Sequence, residues 1–136
     1  MKMIHNRDKI LRVGLTALMV MAFLTGGSAG AETTMKARLE STQFKGKAGQ
    51  PVIIKIKVEP AEMPSGYFIT SSVDFKAKPA GKPPLVVTGY PEIAVTAYMP
   101  GNYLLEVMVN RIYKSSCGGA EASLLLTQQV KLTITP

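Results

Sequence analysis

Cys117 is the sharpest chemical group in the chain and its single cysteine. It sits in Ser116-Cys117-Gly118-Gly119, where a hairpin tip would expose it. With no second cysteine, an internal disulfide cannot form. The thiol is either free or a candidate intermolecular disulfide that would link two copies or attach a partner. Met63, Met99 and Met108 are soft donors that could join Cys117, with carboxylates, in a small-ligand or metal carrier. Strand alternation, however, puts Met99 on the core side and Met108 on the opposite face, which favours ordinary packing.

The one histidine, His5, lies in the leading segment. Without imidazole downstream, a Ser-His-Asp or Cys-His nucleophile has no base. Zinc sites with histidine, blue-copper centres and Cys-x-x-Cys-His haem attachment lose a required ligand. The carboxylates Glu32, Glu40, Glu59, Glu62, Asp74, Glu92, Glu106 and Glu121 form no recognisable acid pair and no clustered calcium loop. The expectation is a non-enzyme with no catalytic, metal or cofactor-binding residues and no cofactor.

The elements that position these groups begin after an export signal. Lys2, Arg7, Lys9 and Arg12 precede the apolar stretch Val13–Thr25, and Ala29-Gly30-Ala31 has the small-x-small form of a cleavage site. Residues 1–31 read as a signal peptide. The apolar stretch is too short for a stable membrane span, so the processed chain is expected to be periplasmic or extracellular. Residues 32–136 then form one domain with 12 basic and 8 acidic residues, a net charge of +4. Their lysines are spread along the chain, not packed into a stacking, basic face, so nucleic acid is not an expected partner.

Period-two alternation dominates this domain. Thr33 to Phe44 reads as a first strand. Val52, Ile54, Ile56 and Val58 alternate with Ile53, Lys55 and Lys57, the pattern of a sheet with one wet face. Tyr67, Ile69, Val73 and Phe75 point inward on the next strand. Leu85-Val86-Val87 lies among prolines and belongs at an edge. Ile93, Val95, Ala97 and Met99 continue the core, followed after Pro100-Gly101-Asn102 by Tyr103, Leu105, Val107 and Val109. The last strand offers Leu124, Leu126, Val130, Leu132 and Ile134, with Gln128 in the same register as a bulge or an edge contact. About seven antiparallel strands with regular turn signals make an all-β, immunoglobulin-like sandwich the expected fold.

The run Pro100-Gly101-Asn102-Tyr103-Leu104-Leu105-Glu106-Val107 resembles the tyrosine-corner strand of bacterial immunoglobulin-like domains. With Val107-Met108-Val109, Ser116-Cys117-Gly118 and Leu132-Thr133-Ile134-Thr135, residues 93–135 are similar to PKD-like domains. The resemblance implies that the Tyr103 hydroxyl bonds nearby backbone while its ring fills the end of the core. The chain departs from the PKD pattern in having no tryptophan; its nearest central segment is Ser72-Val73-Asp74-Phe75-Lys76.

The expected role is that of a non-catalytic module for protein binding or structural assembly at the cell envelope, its partner another envelope or extracellular protein. Phe68, Tyr98 and Tyr113 fall on the outward register in this reading and are candidate surface contacts. The loops Pro60–Gly66, Lys76–Pro91 and Ser115–Glu121 are candidate recognition segments. A fimbrial or adhesion-type subunit is a further alternative, although Leu124 to Ile134 looks like a complete closing strand of the chain's own.

Overall fold

A computed structural model describes residues 34–136; the signal-peptide expectation for residues 1–31 lies outside the described residues. The described chain is all-β. Its strands are β1 (Lys36–Leu39), β2 (Gln43–Lys47), β3 (Pro51–Glu59), β4 (Tyr67–Ala77), β5 (Leu85–Val87), β6 (Glu92–Thr96), β7 (Gly101–Lys114) and β8 (Ala120–Thr135). One sheet has the order β1-β3-β6-β5 and the other β2-β8-β7-β4.

There are eight strands because the expected first strand is two. β1 pairs antiparallel with β3, whereas β2 pairs parallel with β8 in the other sheet. The break falls at Glu40-Ser41-Thr42, where the Ser41 hydroxyl donates to the Gln43 carbonyl at 2.9 Å and accepts from its amide at 3.2 Å. A side chain that serves the backbone locally competes with the ladder and turns the chain.

The core lies between the sheets. Val52, Ile54, Ile56 and Val58 of β3, with Ile93, Val95 and Ala97, face Leu105, Val107 and Val109 of β7 and Val130, Leu132 and Ile134 of β8. Their alternation is what buries them, since successive strand residues point to opposite faces. No polar or charged residue is buried among the described residues. Met99 lies beyond β6, which ends at Thr96, and is half-buried.

Tyr103 closes one end of this core. It is 3% exposed, and its hydroxyl donates to the Met99 carbonyl at 2.7 Å. Its ring meets Phe75 edge-on, with centroids 6.2 Å apart. Gly101 permits the bend before it: its φ is +137°, and a Cβ there would lie 2.7 Å from the Pro79 Cγ. Gly46 of β2 is needed for a different reason, since a Cβ would come within 2.5 Å of the Val52 Cγ2.

β7 and β8 form one long hairpin, and its register shifts once. Val109 faces Leu126 and Asn110 faces Leu124, leaving Leu125 as the extra residue of a bulge. The bulge reverses the phase of the strand. Leu125 and Leu126 both pack against the core, while Leu124, expected inside, is 61% exposed.

Candidate protein-binding surface

The large exposed apolar side chains fall into two cross-strand rows, one on each outer sheet face. On the first sheet, Val87 faces Ala94, which faces Ile53, with Leu85 beside them. On the second, Phe68 faces Ile112, which faces Ala122, and Leu124 stands one outward position further along β8. Phe68 and Leu124 are exposed and Ile112 is half-buried. The Lys114 ammonium lies 5.5 Å from the centre of the Phe68 ring, which leaves the rest of the row apolar.

This second row sits where the hairpin runs past the last buried layer, Ile69 and Val109. Its β8 edge is also open to pairing: β2 pairs only with Lys131–Thr135, and among the described residues no strand hydrogen-bonds Ala120–Val130 on that side. Ala122 to Val130 carries no charge. The edge is partly blunted: the Gln128 amide donates to the Gln129 carbonyl at 3.2 Å. Lys131 gives its amide to Thr42, so the two-residue period turns the Gln129 carbonyl toward the same open side. Gln128 therefore combines the edge contact its register suggests with a bulge three residues away.

The aromatic candidates are not brought together. Phe68 lies on the outer face. Tyr98 lies at the opposite end of the molecule, half-buried, with the Lys82 ammonium 3.8 Å from its ring centre. Tyr113 corrects an expectation. It faces Tyr67 on the inner side of the second sheet, because it stands an even number of positions along β7 from the inward-facing Tyr103. The two rings are 4.6 Å apart, and the Arg111 guanidinium caps Tyr67 at 5.2 Å and reaches Ser123 at 3.5 Å.

Cys117 is exposed in the turn between β7 and β8, its sulfur 3.9 Å from the Ser116 hydroxyl. Met63 packs on the core, Met99 lies by Tyr103 and Met108 is on the outer face of β7, so these donors point to different places. Among the described residues, no three His, Cys, Asp or Glu side chains come together as a metal site. No helix among them is long and apolar enough to cross a membrane.

Asp74, Glu106 and Lys76 form the one charged cluster on the outer face of β4 and β7. The Lys76 ammonium is 2.7 Å from Asp74 and 3.4 Å from Glu106. The hydrogen bond to Asp74, then the charges of Asp74 and Glu106, hold the Lys76 amine above its ordinary value of 10.5.

No protein-family model and no curated protein matches this chain. Among solved structures it is similar to a nucleoside hydrolase-related hypothetical protein from Saccharophagus degradans that is associated with carbohydrate metabolism. The two share 10% identity at a TM-score of 0.46, over 74% of this chain and 25% of that one, so this chain spans about a quarter of that protein's length.

Proposed function

We propose that this chain is an exported, non-catalytic binding module of immunoglobulin-like type, which holds a partner protein of the cell envelope or exterior on the outer face of its second sheet. The strand orders support the fold reading. They match the two sheets of a constant-type immunoglobulin domain in which the first strand is divided between the sheets. The bond from Tyr103 to Met99 supports it as well. The basic and apolar segments of residues 1–31 support export.

The observation that carries the binding role is the row Phe68, Ile112, Ala122 and Leu124 beside an open strand edge. Apolar side chains aligned across three strands and left in water are stabilised when a partner covers them. A neighbouring open edge offers main-chain hydrogen bonds to the same partner.

Affinity capture from envelope extract tests this. The wild-type protein should retain a specific protein that Leu124→Lys loses, with both showing the same circular-dichroism spectrum. Equal retention by the two, or no specific retention by wild type, overturns the proposal.

A further inference from the structure

The outer face of the second sheet has a second feature, at the end away from the apolar row. The register of β4 against β7 shifts between Phe75 and Ala77, which sets Ala77 opposite Leu104. Beside this irregularity lies a groove of about 270 Å³. Ala77 and Leu104 give it apolar walls, and Lys131 is its one charged lining residue. Asn102 and Thr133 also line it and bond to each other, the Thr133 hydroxyl donating to the Asn102 Oδ1 at 3.3 Å.

On its β8 and β2 side the groove is flanked by lysines alone. Lys45 of β2 stands opposite Thr133 and Lys47 opposite Thr135, both exposed on the same face as Lys131. Among the described residues, Lys45, Lys47 and Lys131 form no ion pair. On the same outer face Asp74 and Glu106 share the single ammonium of Lys76, a cluster that is one charge negative on its own. A line of ammonium groups without ion-pair partners, Lys131, Lys45 and Lys47, therefore runs from an apolar recess across β8 onto β2.

We propose that this groove takes a short acidic, extended peptide segment of the partner protein, which rests on the protein-binding reading above. One apolar side chain of the segment packs on Ala77 and Leu104. A neighbouring carboxylate meets Lys131, and further carboxylates follow Lys45 and Lys47. The groove is below the ~300–1,000 Å³ of drug-sized ligand sites, so it suits one side chain of a longer chain and not a whole cofactor. Exposed ammonium groups hold a lone anion weakly, whereas several in a line select an extended, multiply charged one.

The test uses the full-length, ¹⁵N-labelled chain and the peptide acetyl-Glu-Leu-Glu-Leu-Glu-amide. Saturable amide shifts are expected at Leu104, Lys131 and Thr133, weakening as salt is raised. Lys45→Glu with Lys131→Glu should weaken the peptide by about tenfold or more, as reversing two contact charges does. Lys36→Glu with Lys57→Glu makes the same change of net charge on the other sheet and should leave binding unchanged. Equal binding of the glutamine counterpart, acetyl-Gln-Leu-Gln-Leu-Gln-amide, overturns the proposal. So do the same shifts with inorganic phosphate alone, equal weakening by the two charge pairs, or no saturable shift. Loss of peptide binding while Leu124-dependent capture persists sinks the groove alone. Peptide binding without Leu124-dependent capture sinks the apolar-row reading alone.

Discussion

Tyr103 joins two jobs in one side chain, filling the end of the core and fastening the bend before β7. Tyr103→Phe keeps the ring and leaves the Met99 carbonyl without its donor, at a cost of about 1–2 kcal/mol read as a lower urea midpoint. Leu105, fully buried between the sheets, has no such polar role. Leu105→Ala should cost about 2–5 kcal/mol by the same measurement, through lost burial and the cavity left behind. Lys76 is an electrostatic case. Its amine is held above 10.5 in the folded chain, so its contribution to stability is full below that value and is lost as pH rises through the raised folded value. Lys76→Met should remove that alkaline limb, which paired denaturation series above and below pH 10.5 would detect.

At the scale of the strands, legibility depends on how local the cause is. β3 is plain in the sequence because Val52, Ile54, Ile56 and Val58 alternate without interruption against Pro51, Ile53, Lys55 and Lys57. The short β5 is legible from its flanking prolines. The division of the first strand is not, since which sheet offers the free partner is decided some ninety residues away, where β8 runs beside β2. The bulge is hidden for another reason: Leu124-Leu125-Leu126 offers the same apolar side chain at each position, so no alternation marks the phase change. This gives a sharp prediction. Leu124→Lys should change stability by no more than about 0.5 kcal/mol, as exposed sites do. Leu132→Ala, eight residues on and buried, should cost about 2–5 kcal/mol. Equal losses in thermal unfolding would contradict the register at Leu125. Tyr113 was within reach of the sequence, its even spacing from Tyr103 being the signal. The lysine line beside the groove was not, because it exists only through the parallel register of β2 on β8.

At the scale of the described domain, the two apolar rows lie on opposite outer faces, and the thiol sits in the β7–β8 turn just beyond the Ile112–Ala122 end of the second row, outside both ladders. Binding through the row and the open edge uses side chains and backbone of the strands and makes no use of the thiol. Cys117→Ser should leave partner capture unchanged while abolishing any covalent dimer seen on a non-reducing gel. A loss of capture with the thiol would tie the interface to the hairpin tip.

The parallel seam between β2 and β8 has a mechanical consequence. β2 is entered from the leading end of the domain, whereas β8 leaves it at the trailing end, and the two run side by side over Gln43–Lys47 and Lys131–Thr135. Tension applied across residues 34 and 136 would make these strands slide past each other, straining their cross-links together instead of unzipping them in turn. The small patch is thus oriented to resist stretching along the chain.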